Sequence, residues 1–337
     1  MDKHISAAFL VAPENISIRD NPAPQPGACE VLIRSILTAI CGSDVSFFAG
    51  HRTPPAYPVI LGHEVVGKVI AVSSDVTNVA VGQRVIVEPN YPCGECNFCR
   101  TGNGNICPKK RSLGVTIPGC YADQFIAPAE FCWSIPDSIS NEDAVTIEPL
   151  TVSLHALWQS GVQLGDTIAV LGCGSTGLLL IQAAVSQGVC VFAHDKVESK
   201  LEMARRLGAE ISENRDVSQL WQAEGVTTIF ECAGVSATVE LALSAAPRGS
   251  QVILMGLSTS PASFQPLRFV REGLRVSGSL IYHHPRDFAK AIDLVEKKML
   301  SPKLIISKTL PFEKIQEAMQ VASKGETGKV VIDMGNR

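Results

Sequence analysis

The sequence predicts a mixed α/β protein in which a β-rich domain accompanies a domain with a doubly wound parallel sheet. Up to about residue 150, short extended segments are broken by proline and glycine, as in all-β or barrel-like domains. From 151 to 283, apolar β-branched runs alternate with amphipathic helical stretches, as a parallel sheet with crossover helices requires. Because the segment 284–337 is too short for a third domain, we expect it to complete the first, which otherwise covers 1–150.

The individual elements follow from local composition. In the first domain, β-rich runs bounded by turn residues predict strands at 30–34, 65–72 and 83–87. In the second, the pattern predicts helices at 177–185 and 199–207 and strands at 167–171, 189–193, 228–232, 251–255 and 274–277. After Pro285 we expect one helix at 288–297 and a final strand at 329–333.

Charge and composition argue against two classes of protein. The formal net charge is -4 and no dense stripe of Lys and Arg is present, whereas proteins that bind nucleic acid through its phosphates normally have a basic face. No apolar run is long enough to span a bilayer, and the first residues lack the features of a signal peptide. We therefore expect a cytoplasmic protein without nucleic-acid or membrane partners.

The eleven cysteines indicate metal binding rather than a disulfide framework, because their number is odd and four of them cluster. Outside the candidate metal ligands, cysteines in strand-like or loop contexts are expected to be small buried apolar residues without chemistry. These are Cys29, Cys120, Cys132, Cys173, Cys190 and Cys232.

The cysteine cluster lies in a lobe at about 90–110 and has the spacing C-x2-C-x2-C-x7-C. Its members are Cys93, Cys96, Cys99 and Cys107. Four thiolates select a soft or borderline metal and close its coordination sphere, which predicts a structural zinc ion. An iron–sulfur cluster is the main alternative. The polar, Gly- and Asn-rich loop favours zinc.

A glycine motif follows the first predicted strand of the second domain. Gly172, Gly174 and Gly177 form G-x-G-x-x-G between a predicted strand and a predicted helix, where glycines allow a tight turn and the approach of a pyrophosphate. Asp195 follows about 20 residues on, where a carboxylate binds ribose hydroxyls and repels a 2′-phosphate. Lys200 is a further candidate contact to the adenosine ribose. The motif predicts NAD as the cofactor, against the alternative of a turn that serves packing alone.

Metal-ligand residue types also occur outside the cysteine lobe. Cys41 lies in Ile-Cys-Gly-Ser-Asp, His63 and Glu64 are adjacent, and Glu148 precedes a proline. Taken singly, each has a simple structural interpretation: a core cysteine, a satisfied histidine or an acidic residue in a surface pair.

Together, these motifs resemble the zinc-containing medium-chain dehydrogenase/reductase family. The sequence Gly-His-Glu at 62–64 followed by Gly67, the cysteine lobe and the glycine motif stand in that family's order and spacing, and the resemblance covers essentially the whole chain. It implies a GroES-like β-rich catalytic domain built from both ends of the chain, with a Rossmann NAD-binding domain between them.

The resemblance also implies a second, catalytic zinc. It makes Cys41 and His63 ligands of that ion, with Glu148 as the third protein ligand or as a hydrogen-bond partner of bound water. Glu64 becomes a neighbouring carboxylate that can enter or leave the coordination sphere. A thiolate, an imidazole, a carboxylate and an open position form the ligand set that a catalytic zinc requires.

Ser43 matches the family's hydroxyl that takes the proton of the substrate alcohol. Many relatives carry a histidine five residues after the ligand cysteine, where this chain has Ser46. The proton path therefore has two alternatives: Ser43 passes the proton through a ribose hydroxyl to water, or His51 on the following loop acts as the second station.

The expected reaction is hydride transfer between a secondary alcohol and NAD. A carboxylate at Glu148 is similar to sorbitol, threonine and sugar-acid dehydrogenases, which favours a polyol, sugar or sugar acid as substrate. Arg52, Arg268 and Arg271 are candidates for binding a substrate carboxylate or phosphate, or are solvated surface charges. The alternatives are a zinc-free quinone or enoyl reductase of the same superfamily and a non-catalytic NAD-binding regulatory protein.

A homodimer or homotetramer is expected. Relatives commonly pair the outer strand of the Rossmann sheet across a two-fold axis, and the apolar stretch at 276–281 near that edge would otherwise invite uncontrolled pairing.

Overall fold

Two units make up the chain in this computed structural model, which describes residues 4–212 and 216–335. One unit comprises Met1–Glu148 with His283–Arg337, and the other comprises Pro149–Tyr282. The boundaries lie within two residues of the positions that the sequence suggested.

The strands are labelled in chain order. They are β1 His4–Ala12, β2 Asn15–Pro22, β3 Glu30–Ala39, β4 Val59–Ile60, β5 Glu64–Val72, β6 Arg84–Val87, β7 Asn90–Tyr91, β8 Arg111–Ser112, β9 Gln124–Pro128, β10 Cys132–Ser134, β11 Thr167–Leu171, β12 Cys190–His194, β13 Glu210–Ile211, β14 Thr228–Glu231, β15 Gln251–Leu254, β16 Arg275–Gly278, β17 Ile306–Pro311 and β18 Lys329–Asp333.

The helices are labelled in the same way. They are α1 Gly42–Phe48, α2 Asn97–Arg100, α3 Asn141–Val145, α4 Ile147–Ser160, α5 Ser175–Ser186, α6 Glu198–Arg206, α7 Val217–Ala223, α8 Ser236–Ala245, α9 Pro266–Glu272, α10 Arg286–Glu296 and α11 Ile315–Ser323. Among the described residues, no helix is both long and apolar enough to cross a membrane.

The first unit is built around a mixed sheet with the strand order β10-β6-β5-β3-β18-β17, to which β9 adds by pairing with β3. Residues that alternate along these strands face one apolar core, among them Ile33, Val65, Val85 and Ile332. Strand β18 runs antiparallel to β3, so the last strand of the chain lies beside one of the first. The C-terminal segment thus completes the first unit.

The C-terminal segment contains more structure than the sequence suggested. Beyond the expected helix and final strand, the structure adds β17 and α11. In β17 three consecutive residues are exposed, so the strand carries no apolar alternation that the sequence could reveal. In α11 the buried residues Ile315, Ala318 and Met319 do show helical spacing, but the helix has only nine residues.

The second unit has a six-stranded parallel sheet with the order β13-β12-β11-β14-β15-β16. Its central strands are almost wholly buried, and β11 occupies the range predicted for it. The order reverses between β11 and β14, which is the switch point where ligands bind in open α/β sheets. The predicted α/β fold class is confirmed.

Two cysteines depart from the expectation of burial. Cys29 and Cys190 are exposed. Cys29 lies in a turn with φ of 58° and its thiol donates to a carboxylate oxygen of Asp75 at 3.1 Å. Cys190 is the first residue of β12, at the amino-terminal end of an interior strand, where strand propensity does not imply burial.

Candidate active site

The pairing of β3 with β5 brings three ligand-type residues together. Ala39 at the end of β3 is opposite Glu64 at the start of β5, so Cys41 just after one strand meets His63 just before the other. The ligand atoms of Cys41, His63 and Glu64 all lie within 4.8 Å of one another. Residues more than twenty positions apart in sequence therefore form one cluster of thiol, imidazole and carboxylate.

A buried carboxylate, Asp44, organises this cluster. One of its oxygens accepts hydrogen bonds from the Cys41 N–H at 3.0 Å and the Tyr121 hydroxyl at 3.0 Å. The other accepts from the Gly62 N–H at 3.2 Å and lies 3.6 Å from Nδ1 of His63. Asp44 thus ties together the segments that carry Cys41 and His63.

The electrostatics of the cluster favour positive charge. Burial alone would raise the pKa of Asp44, but the neighbouring His63 and the hydrogen bonds to the carboxylate hold it below its ordinary value. Burial opposes a charge on His63, yet Asp44 and Cys41 raise its pKa well above the ordinary value. A carboxylate facing Nδ1 keeps a proton on that nitrogen and leaves Nε2 to bind a metal. The donor set and its surroundings fit a divalent cation such as zinc.

Glu64 is held by a buried lysine. Both of its carboxylate oxygens lie 2.7 Å from Nζ of Lys329, which also donates to the carbonyl of Ile40 at 3.3 Å. Both side chains are at most 1% exposed. Burial lowers the pKa of Lys329, but Glu64, Cys41 and Glu148 together raise it above its ordinary value, so the ammonium stays charged.

Glu148 lies outside the cluster of Cys41, His63 and Glu64. It is buried in the first turn of α4, and its charge contributes to the raised pKa of Lys329. The structure therefore places Glu148 near the cluster through Lys329. Its role as a zinc ligand stays a prediction.

The candidate proton-relay residues lie on or after α1. Ser43 is the second residue of this helix and is partly buried, Ser46 lies one turn further on, and His51 is exposed in the following loop. Across the described residues no hydrogen bond joins Ser43 to Ser46 or to His51. Both relay routes remain predictions.

The cysteine lobe forms a second, separate cluster in the same unit. The Sγ atoms of Cys93, Cys96, Cys99 and Cys107 lie within 4.8 Å of one another. Individual Sγ–Sγ distances are 3.4, 3.6, 3.8 and 3.9 Å. Four sulfurs at about 2.3 Å from one tetrahedral ion would be about 3.8 Å apart. The Sγ–Sγ distances in the lobe thus fit a single ion and are too short for a cluster of several iron atoms.

Backbone structure prepares the lobe for that ion. Strands β7 and β8 pair with each other and fix its two ends. The N–H groups of Glu95 and Cys96 donate to the Cys93 sulfur and lower its pKa to about 6, which favours the thiolate that binds metal.

The three motif glycines satisfy different requirements of the loop between β11 and α5. Gly172 has φ of 93°, and a Cβ there would lie 2.7 Å from the backbone nitrogen of Ala233. A Cβ at Gly177 would lie 2.0 Å from the carbonyl oxygen of Gly172. At Gly174, which caps α5, a Cβ would meet nothing within 4 Å, so open space faces the helix amino terminus. That terminus can receive a pyrophosphate.

Asp195 follows β12 and faces the glycine loop. Its two oxygens accept hydrogen bonds from the N–H groups of Cys173 at 2.7 Å and Val197 at 2.9 Å. These bonds fix the carboxylate and leave lone pairs for two hydroxyl groups. Lys200 on α6 is half-buried, and its charge acts on the Cys173 thiol within the loop. The predicted cofactor residues of this unit thus surround one loop.

Two residues that contact the cluster of Cys41, His63 and Glu64 were not identified from the sequence. Asp44 had a local signal, because it occupies the third position of α1 and its carboxylate accepts the N–H of the capping residue Cys41. Lys329 had none, since its partner Glu64 lies 265 residues away.

Two family models match the chain: the alcohol dehydrogenase GroES-like domain at residues 27–137 and the zinc-binding dehydrogenase domain at 175–297. The chain is 30% identical to sorbitol dehydrogenase of Bacillus subtilis over 345 residues, which covers 98% of this chain and 97% of that protein. It is 30% identical to D-arabitol-phosphate dehydrogenase of Enterococcus avium over 347 residues, covering 99% and 98%. An alcohol dehydrogenase from Escherichia coli CFT073, solved with NADH, superimposes with a TM-score of 0.92 at 27% identity, covering 99% and 100% of the two chains.

Proposed function

Because this chain belongs to the zinc-containing medium-chain dehydrogenase/reductase family, we propose that it transfers hydride between a secondary alcohol and NAD. The observation that carries the proposal is the convergence of Cys41, His63 and Glu64, with the carboxylate of Asp44 facing His63. Open space at the amino terminus of α5, beside the glycine loop, supports dinucleotide binding.

Cys41 and His63 are the residues that would hold a catalytic zinc, with Glu148 or Glu64 as the carboxylate of the ligand set. When bound, zinc supplies a Lewis acid that lowers the pKa of a hydroxyl group, and NAD accepts the hydride. Asp44 fixes the tautomer of His63 and the direction of its ring. Lys329 holds Glu64 beside the ligands without leaving its charge uncompensated.

Ser43 is the proposed first acceptor of the substrate's hydroxyl proton. It lies two residues after Cys41, on the first turn of α1, and is partly buried. A positioned acid–base group of this kind contributes about 100-fold to 10,000-fold in rate. His51 is the candidate second station, and a ribose hydroxyl is the alternative.

The cofactor is proposed to be NAD rather than NADP. Asp195 is fixed by two backbone N–H groups beside the glycine loop, where its carboxylate would accept the adenosine ribose hydroxyls. A 2′-phosphate would meet the same negative charge. Lys200 is proposed as a further contact to this ribose.

A second zinc is proposed in the cysteine lobe, where it would be structural. Four thiols at tetrahedral separation leave no open position for a substrate. One closed and one open ligand set together give two zinc ions of different character per chain.

The proposed substrate is a polyol, a sugar or a sugar acid. The sorbitol and D-arabitol-phosphate dehydrogenases that match the full length of this chain support this class. Two alternatives have less support. Neither a zinc-free reductase nor a regulatory protein that only binds NAD needs a cluster of thiol, imidazole and carboxylate.

We also propose that the protein forms a homodimer or homotetramer. Strand β16 is the edge of the parallel sheet, all four of its residues are exposed, and Val276 on it is 47% exposed. An edge strand that exposes its backbone and an apolar side chain is suited to pairing with a second copy. Light scattering at micromolar concentration tests this, and a stable monomer would contradict it.

Activity is tested by incubating the zinc-loaded protein with NAD and a panel of polyols, sugar acids and sugar phosphates while following the absorbance of the reduced nicotinamide. We expect turnover with at least one of these secondary alcohols, and loss of turnover in Cys41→Ser. Absence of turnover across the panel, with zinc and NAD bound, would favour the regulatory alternative.

A further inference from the structure

The three arginines that are candidates for binding an anionic group of the substrate differ in their contacts and in the unit to which they belong. Arg268 is already engaged: its Nε bonds Glu272 at 3.0 Å, and its other nitrogens donate to three backbone carbonyls. Arg271 is an exposed residue of α9 in the second unit. Only Arg52 belongs to the unit that contains Cys41 and His63.

Arg52 is a restrained cation. Its guanidinium carbon lies 4.6 Å from the ring centroid of Phe47. The backbone N–H of Arg52 donates to the backbone carbonyl of Ser46 at 3.1 Å, which fixes the main chain at this residue. The residue is partly buried, whereas Phe47 is only 2% exposed. Within residues 4–212 and 216–335, Arg52 forms no ion pair with a carboxylate. The ring holds the guanidinium in place without neutralising its charge.

Helix α1 begins next to Cys41, in the cluster of Cys41, His63 and Glu64, and contains Phe47, on which Arg52 stacks. Ser43 and Phe47 are four residues apart and share one face of the helix, and side chains on a helix lean toward its amino terminus. With a rise of 1.5 Å per residue, Phe47 lies about 9 Å along the axis from Cys41. An extended chain of five or six carbons spans about 5–6 Å. A terminal carboxylate or phosphate oxygen and its hydrogen bond of about 2.9 Å to the guanidinium extend this reach to about 9 Å.

We propose that Arg52 binds a carboxylate or phosphate at the end of the substrate remote from the oxidised carbon. This inference rests on the proposed function and narrows its substrate class to anionic polyols: sugar acids or polyol phosphates. A planar guanidinium already stacked on an aromatic ring can bind either anion through two parallel N–H donors. Neutral polyols would lack this contact.

The test compares matched substrates that differ in one terminal group. Sorbitol is compared with two compounds that carry an anion at its C6 end, sorbitol 6-phosphate and L-gulonate. All three are assayed with NAD, and their binding to the NAD-loaded protein is measured by calorimetry. The variants are Arg52→Ala, Arg52→Lys and the control Arg19→Ala. Arg19 is a suitable control because it is in the same unit and also stacks on a phenylalanine, with its guanidinium carbon 5.9 Å from the Phe9 centroid.

We expect the wild type to bind at least one anionic compound about 10-fold to 100-fold more tightly than sorbitol, the range of a charge-assisted contact. Arg52→Ala should remove this preference, Arg52→Lys should keep part of it, and Arg19→Ala should keep all of it. The carboxylate and phosphate arms identify the anion.

Two results overturn one idea without the other. Turnover of polyols with the same preference in wild type and Arg52→Ala refutes the role of Arg52 and leaves the proposed function intact. Arg52-dependent binding of the anionic compounds, with no oxidation of any alcohol, supports Arg52 and refutes the dehydrogenase function. No anion preference in the wild type, by binding or turnover, also refutes the role of Arg52.

Discussion

Replacing Lys329 by methionine removes the ammonium that compensates the buried carboxylate of Glu64. Both side chains are at most 1% exposed, and Nζ lies 2.7 Å from each carboxylate oxygen. Methionine has a similar volume, so the change leaves a buried charge without its partner and creates little cavity. Breaking such a pair costs about 3–5 kcal/mol.

The free energy of unfolding is measured by urea denaturation for Lys329→Met, Glu64→Gln and the double variant. The double variant should recover most of the loss, because no unpaired charge remains and the two changes are strongly coupled. Lys303→Met is the control, since Lys303 pairs with Asp143 but is 46% exposed. It should cost at most about 1 kcal/mol.

The reasoning fails if Lys329→Met costs no more than Lys303→Met. It also fails if Glu64→Gln brings no recovery in the double variant, because the destabilisation would then come from lost packing and not from an unpaired carboxylate.

Three further predictions concern proton transfer, cofactor choice and pH. Ser43→Ala should lower turnover about 100-fold to 10,000-fold with zinc content unchanged. If His51 is the second station, His51→Ala should lower turnover near neutral pH but less at high pH. Stopped-flow rates check both variants, and wild-type rates in both would refute the proposed proton relay. Asp195→Ala should weaken the preference for NAD over NADP, measured as the ratio of kcat/KM values, and an unchanged ratio would refute its role. Burial lowers the pKa of His284, but the hydrogen bond and charge of Glu88 at 2.8 Å and the charge of Glu130 at 3.8 Å outweigh it, so the pKa lies above the ordinary 6.5. The ion pair of His284 with Glu88 therefore stabilises the fold fully below about pH 6.5, and this stabilisation is lost as pH rises through the raised pKa. In urea titrations, the free energy of unfolding of the wild type should exceed that of His284→Gln by an amount that shrinks across this pH range. A constant difference would contradict the prediction.

The parts of the site that the sequence revealed are those set by short spacing. The cysteine lobe lies within fifteen residues, and the glycine motif within six, so the chain itself brings these groups close to one another. The grouping of Cys41 with His63 followed from the resemblance and not from the residues alone. The structure supplies its physical cause, which is the pairing of Ala39 with Glu64 across β3 and β5.

The parts that the sequence could not reveal depend on long-range packing. Lys329 meets Glu64 only because β18 enters the sheet beside β3, next to β5. Glu148 was a candidate from its motif, but its place in the first turn of α4 and its proximity to Lys329 were not visible in the sequence. The sequence did not distinguish Arg52, Arg268 and Arg271 as candidates for binding an anion. The contacts that the structure shows distinguish Arg52 from Arg268.

Zinc analysis of wild type and Cys41→Ser, combined with the rate of NAD reduction, tests the central claim most directly. The wild type should contain two zinc ions per chain, and Cys41→Ser should retain the ion of the cysteine lobe, bind NAD as before and lose turnover of the alcohol. Equal zinc content in both proteins, or full activity in Cys41→Ser, would show that Cys41 and His63 do not hold a catalytic metal.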